Sequence, residues 1–176
     1  GSAGEYLTRH PDVDGITFTG ETRTGEAIMR AAATGVRNIS LELGGKNPAI
    51  VFADADLDKA VEGTLRSVFA KCGQVCLGTE RVYVERPIFK RFVAALTAGA
   101  QALKPGAPNH PATTLGPLIS EEHRSKVLSY YAKAKAEGAM VLTGGGVPEM
   151  PKVLAGGYWI EPTIWTGLGD ETETVR

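Results

Sequence analysis

The chain is short of several features that would each mark a class of protein. It holds two cysteines among 176 residues, too few to stabilise an extracellular fold of this size by disulfide bonds, so a reducing cytoplasm is the expected setting. Its net charge of −1 gives no electrostatic basis for binding nucleic acid or an anionic membrane surface. No apolar run approaches the length that crosses a bilayer. The first residues, GSAGEYLTRH, lack the basic start and apolar stretch of a signal peptide.

The histidines are also few and scattered. His10, His110 and His123 each stand in a loop or at the start of a helical pattern, far from one another in the sequence. This spacing matches neither a metal site nor a Ser–His–Asp triad, so no metal is expected.

Strand patterns and helix patterns alternate along the chain. DGITFTG, NISLELGG and TERVYVE are typical of strands, and AMVLTGGG and GYWIEPTIW are expected to be strands as well. Between them, TRTGEAIMRAAATG, DADLDKAVEGTLRSVF and RPIFKRFVAALTAGAQAL place apolar residues at helical spacing. Ser120 and Gly138 mark the start and the end of a further helix. This order predicts an α/β protein with a largely parallel sheet.

Cys76 is the first candidate for chemistry. It follows a predicted helix in GQVCLG, where Gly73 and Gly78 allow a ligand to approach the backbone closely. A nucleophilic cysteine needs partial exposure and a lowered pKa. Taken alone, a cysteine is more readily interpreted as a small buried apolar residue. Cys72 is interpreted as structural, because the three-residue gap between the cysteines is not the usual spacing of a metal or redox pair.

Two further stretches carry candidate groups. Glu42 follows a leucine at the end of a strand pattern and precedes a Gly-Gly turn, so it is either a desolvated general base or a carboxylate in solvent. Without Cys76 the solvent interpretation would be favoured. GETRTG joins a strand to a helix N-terminus and so resembles a phosphate-binding loop, although it is neither a Walker loop nor a complete G-x-G-x-x-G.

Four motifs follow one another along the chain: FTGETRTG, LELGGKNPAIVF, GQVCLGTERVYV and KPGAPNHPATTLGPLIS. Together they resemble the aldehyde dehydrogenase superfamily. The resemblance covers nearly the whole chain, which is expected to be a central fragment corresponding to about the middle third of a family member. Within the superfamily, DGITFTGETRTGEAIM and YWIEPTIWTGL are similar to the 2-hydroxymuconic semialdehyde dehydrogenases of aromatic-ring degradation, and betaine-aldehyde enzymes are near neighbours.

The resemblance implies a fold in two parts. Residues 1–44 would be the C-terminal part of a Rossmann-like NAD-binding domain. Residues 45–176 would be most of an α/β catalytic domain that is incomplete at its C-terminus. The full-length protein is expected to be a homo-oligomer.

The same resemblance implies a role for each candidate residue. Cys76 would be the nucleophile that attacks an aldehyde, and its backbone N–H would supply half of the oxyanion hole. Glu42 would be the general base that activates water to hydrolyse the thioester. NAD is the implied cofactor, with NADP left open. The residues implied to bind it are Gly20, Glu21, Gly25, Leu43 and Gly44. Glu21 departs from the serine that is common in the family, and it cannot donate a hydrogen bond to a phosphate unless it is protonated.

These roles predict NAD-dependent oxidation of a small-molecule aldehyde to a carboxylic acid. The expected substrate is a semialdehyde from aromatic-ring degradation, such as 2-hydroxymuconic semialdehyde. Three alternatives stay open: a catalytically inactive fragment, a non-catalytic relative with a structural or binding role, and a betaine-aldehyde-type dehydrogenase. The presence of both Glu42 and Cys76 argues against the non-catalytic relative, because a structural protein needs neither.

Overall fold

The computed structural model describes residues 2–176, which divide into two compact units. One unit ends at Gly45 and the other comprises Lys46–Arg176. Each unit is described by itself. Their assignment to a cofactor domain and a catalytic domain stays a prediction.

The first unit holds two helices and a two-stranded parallel sheet. Its elements are α1 (Ser2–Arg9), β1 (Gly15–Thr19), α2 (Thr22–Ala33) and β2 (Asn38–Glu42). The two strands pair in register, and each alternates exposed with partly buried residues, as the sequence predicts. α2 buries Ile28 and Ala32 on the same face of the helix. α1 was not expected from the sequence.

The second unit contains three helices, two small sheets and three short 3₁₀ turns. Its elements are β3 (Pro48–Val51), α3 (Leu57–Phe69), β4 (Arg81–Val84), α4 (Phe89–Gln101), α5 (Glu121–Ala136), β5 (Met140–Thr143) and β6 (Ile164–Thr166). β3 and β4 are parallel, whereas β5 and β6 are antiparallel. A central cluster of Val51, Phe92 and Leu96 packs β3 against α4, and Phe92 is fully buried.

Local side-chain chemistry explains where the helices of this unit begin and end. The Asp56 carboxylate accepts the backbone N–H of Lys59 (3.2 Å) at the start of α3, and Ser120 Oγ accepts that of His123 (3.1 Å) at the start of α5. Pro87 lies in the turn that leads into α4. Gly138 follows the end of α5 with a φ of 94°. The predicted helices, and the Ser120 cap, are therefore confirmed.

One expected strand is much shorter than the sequence suggests. Of GYWIEPTIW and its neighbours, only Ile164–Thr166 forms a strand. Pro162 has no N–H to donate to a ladder. Trp159 is buried instead, and its indole N–H donates to the carbonyl of Leu154 (2.7 Å). None of the helices within residues 2–176 is long and apolar enough to cross a membrane.

Candidate active site

The chain between α3 and β4 reverses through an unusual backbone segment. Lys71, Cys72 and Gly73 have φ values of 50°, 58° and 72°, so three successive residues adopt left-handed conformations. Only glycine does so without cost, and strain at non-glycine residues concentrates in functional regions. This segment directs the chain into the turn that carries Cys76.

Cys76 occupies an exposed position in a tight turn. The backbone N–H of Gly78 donates to the carbonyl of Val75 (2.9 Å), which closes the turn around Cys76. Gly78 is buried, and a methyl group placed on it would lie 3.0 Å from the Val75 carbonyl oxygen. Glycine at this position therefore keeps the turn tight around the exposed Cys76.

Cys72 has the opposite environment. It is half-buried against the cluster of Phe69, Ala100 and Leu115, and its Sγ donates to the carbonyl of Gly116 (2.8 Å). Burial raises the pKa of the Cys72 thiol, so this group stays protonated at neutral pH. A protonated, bonded thiol is a poor nucleophile, which agrees with its expected structural role.

The backbone around Cys76 also offers a hydrogen-bond donor. Among the described residues of the second unit, nothing accepts the backbone N–H of Cys76. In general, the backbone N–H of a residue whose thiolate attacks a carbonyl can stabilise the oxyanion that develops. Its expected role in an oxyanion hole stays a prediction.

Glu42 lies in the first unit, at the end of β2. Its side chain is exposed, and its backbone carbonyl accepts the N–H of Gly20 (3.0 Å). This bond ties the end of β2 to the start of the GETRTG turn. Glu42 and Cys76 belong to different compact units, so the expectation that they act on one substrate stays a prediction.

The five residues expected to bind the cofactor all lie in the first unit, and the structure brings four of them together around the start of α2. The Glu21 carbonyl accepts the N–H groups of Thr24 (3.1 Å) and Gly25 (3.0 Å). Gly25 is buried against Leu43, and a methyl group placed on it would lie 2.8 Å from Leu43 Cδ2. Gly44 has open space around it.

Glu21, the residue that departs from the family's serine, does not cap α2. Its carboxylate lies 3.6 Å from the guanidinium of Arg23, and its side chain makes no hydrogen bond to the helix. Within the described part of the first unit, the N–H groups of Thr22 and Arg23 have no acceptor. The first turn of α2 therefore presents free donors, and the Glu21 charge is balanced by a neighbouring cation.

Asn47 is a residue of this region that the sequence analysis missed. Its side-chain amide donates to the carbonyls of Cys76 (2.7 Å) and Gly78 (2.8 Å). The available signal was modest: an amide residue between a glycine turn and the proline that begins a buried strand. Nothing local showed that its partners lie around Cys76.

Comparisons with known proteins give one consistent result. Residues 1–176 match the model of the aldehyde dehydrogenase family. A 2-hydroxymuconic semialdehyde dehydrogenase from Pseudomonas putida is 71% identical over 99% of this chain and 36% of its own length. A betaine aldehyde dehydrogenase from Sinorhizobium fredii is 43% identical, again over 99% of this chain and 36% of its own length. The chain thus spans little more than a third of these relatives.

A solved structure agrees with the sequence comparisons. The crystal structure of betaine aldehyde dehydrogenase from Staphylococcus aureus in complex with NAD+ superposes with a TM-score of 0.94 and 41% identity. It covers 98% of this chain, and the chain covers 34% of it. This match confirms the α/β fold expected from the sequence.

Proposed function

The chain belongs to the aldehyde dehydrogenase family, and from this premise we propose that the protein containing it oxidises an aldehyde to a carboxylic acid, with Cys76 as the nucleophile. The observation that supports this most directly is the contrast between the cysteines. Cys76 is exposed on a tight turn, whereas Cys72 is half-buried and donates to a carbonyl. Both are free thiols, which suits a reducing cytoplasm.

The proposed reaction needs three actions from this chain. The Cys76 thiolate attacks the aldehyde carbon and forms a thiohemiacetal, while the Cys76 backbone N–H stabilises the developing oxyanion. NAD, when bound, supplies the oxidation by accepting a hydride. The thioester that remains on Cys76 is hydrolysed by a water molecule that gives its proton to Glu42, which releases the carboxylic acid and regenerates the thiolate.

The residues around the start of α2 fit the phosphates of such a cofactor. Free N–H groups in the first turn of a helix favour an anion, and Gly25 lets Leu43 pack directly on that turn. Glu21 would oppose an anion, but its pairing with Arg23 at 3.6 Å reduces this repulsion. We therefore assign Gly20, Glu21, Gly25, Leu43 and Gly44 to the cofactor site, with the backbone as the main donor.

We propose a semialdehyde with an unsaturated carboxylate chain as the substrate. The support is similarity: 71% identity to a 2-hydroxymuconic semialdehyde dehydrogenase, against 43% to a betaine aldehyde dehydrogenase. The two substrates differ in charge, since one carries a carboxylate and the other a quaternary ammonium. A comparison of kcat/KM for 2-hydroxymuconic semialdehyde and betaine aldehyde decides between them, and a preference for betaine aldehyde would refute the assignment.

The test of the mechanism uses the full-length protein and three variants. Cys76→Ser is expected to abolish NADH formation, whereas the matched variant Cys72→Ser keeps the activity because Cys72 is not the nucleophile. Glu42→Gln is expected to give one burst of NADH per active site followed by slow turnover, because only hydrolysis of the thioester is impaired. Activity retained by Cys76→Ser would refute the nucleophile, and a lost burst in Glu42→Gln would place Glu42 in an earlier step.

A further inference from the structure

Asn47 connects the start of β3 to the turn that carries Cys76. Its Nδ2 lies 2.7 Å from the Cys76 carbonyl oxygen and 2.8 Å from that of Gly78. Its own backbone is held from the other side. The Asn47 N–H donates to the Glu80 carboxylate (2.5 Å), and the Asn47 carbonyl accepts the N–H groups of Glu80 (3.1 Å) and Arg81 (3.3 Å). The backbone of Asn47 is therefore fixed next to the strands, and its side-chain amide contacts the Cys76 turn from that position.

The chemistry of this contact is specific to an amide nitrogen. An Asn Nδ2 has two N–H donors, and here it meets two carbonyl oxygens, which accept only. A carboxylate of the same shape has no proton to give at neutral pH and would repel both oxygens. The carbonyl of Cys76 belongs to the peptide unit that leads away from the nucleophile, so a fixed carbonyl fixes the orientation of that residue. The bond from Gly78 to Val75 fixes the other side of the same turn.

We propose that Asn47 is a positioning residue for the nucleophile: its two donors hold the Cys76 turn in the orientation that attack on the aldehyde requires. This inference rests on the proposed function, because it presumes that Cys76 is the nucleophile. Asn47 does not touch the reacting atoms. It acts through the carbonyls of Cys76 and Gly78, across 29 and 31 residues of sequence.

The test is a series of substitutions that separates hydrogen-bond donors from side-chain volume. Asn47→Ser keeps one donor, Asn47→Ala keeps none, and Asn47→Asp keeps the shape but replaces the donors by a charge. The matched control is Asn109→Asp, the same change at an exposed loop residue whose side chain makes no hydrogen bond to other residues of 2–176. The measurement is the rate of NADH formation in the first turnover of the full-length protein, per titratable thiol, together with KM for NAD.

The expected rate order is wild type, Ser, Ala, Asp, with Asp slowed about 10–100-fold, as misplacement of a reacting group predicts. KM for NAD and the Asn109→Asp variant should stay near wild type. An order that follows volume, with Asp closest to wild type, would overturn the proposal. So would variants that fold poorly but react at the wild-type rate per thiol, since the role would then be stability alone. If Cys76→Ser abolishes activity while Asn47→Asp has the same first-turnover rate as Asn109→Asp, only the positioning role of Asn47 is refuted. If Cys76→Ser stays active, Cys76 is not the nucleophile, and the positioning role is refuted with it.

Discussion

Gly25 lies where the first turn of α2 packs directly against the side chain of Leu43. A methyl group there would lie 2.8 Å from Leu43 Cδ2 and 3.0 Å from Leu43 Cδ1, both well inside van der Waals contact. Because both methyl groups of Leu43 lie this close, the Leu43 side chain has to move to make room for the added methyl. Forcing an extra methyl into close packing costs about 1–3 kcal/mol. Gly25→Ala is thus expected to destabilise the start of α2 even though alanine is the better helix former.

Gly63 supplies the matched control for this prediction. It lies inside α3, and a methyl group placed on it would meet nothing within 4 Å. Gly63→Ala should therefore stabilise its helix by about 1 kcal/mol through helix propensity alone. The difference between the two Gly→Ala substitutions isolates the cost of the Leu43 contact. In the double variant Gly25→Ala/Leu43→Ala the shortened side chain should remove most of the clash. The free energies of unfolding of the two single variants should therefore be non-additive by about 1–3 kcal/mol.

Native-state hydrogen exchange measures this locally in the full-length protein. A Gly→Ala change with the helix-propensity gain alone would slow exchange of the α2 amides. Relative to that expectation, these amides should exchange about 5–150-fold faster in Gly25→Ala, because each 1.4 kcal/mol of lost stability raises the opening equilibrium constant tenfold. The apparent affinity for NAD should fall in the same variant. Additive effects of the two substitutions, or equal behaviour of Gly25→Ala and Gly63→Ala, would show that the packing argument is wrong.

Two further predictions concern the second unit. Lys71→Asn should stabilise the full-length protein by about 1 kcal/mol, because asparagine tolerates the left-handed φ of 50° better than lysine. The control Lys90→Asn, in helical backbone, should instead be neutral or destabilising. Equal shifts in Tm for both variants would show that the backbone at Lys71 is not strained. Hydrogen bonds from Thr174 and from the Glu173 N–H hold the pKa of Glu137 below its usual range. The resulting stabilisation is present above the unfolded pKa and is lost as pH falls through the lower folded value. Protection of the Glu173 and Thr174 amides from exchange should therefore collapse in acid, and Glu137→Gln should remove this pH dependence; an unchanged pH dependence would refute the role of the carboxylate.

The parts of the fold that the sequence predicts are those set by local chemistry. Ser120 and Asp56 are side chains that cap helices within three residues of themselves, so their function is readable from neighbours alone. The alternation in β1 and β2 is likewise local, because a strand with one covered face repeats every two residues. These elements position the GETRTG turn and the Cys76 turn at the ends of strands and helices.

The parts that the sequence does not predict depend on distant partners. The sequence Lys-Cys-Gly does not predict a left-handed backbone at Lys71 and Cys72, because neither lysine nor cysteine favours that conformation. The burial of Cys72 follows from its contact with Gly116, 44 residues away. The strand that begins only at Ile164 is preceded by Trp159, whose indole N–H donates to the carbonyl of Leu154, a contact that the strand pattern does not predict.

Lys46 and Asn47 show why such distant contacts matter for the site. Lys46 Nζ donates to the carbonyl of Thr174 (3.4 Å) and lies 5.8 Å from the ring centre of Tyr130, while its own carbonyl accepts from Arg81 (2.7 Å). The next residue, Asn47, holds the Cys76 turn. Two consecutive residues therefore fix the turn and the segment around Thr174 to the same strand start. A substitution that shifts the backbone at this point should disturb both at once, whereas one that removes only the Asn47 donors should disturb the turn and leave protection of Thr174 unchanged.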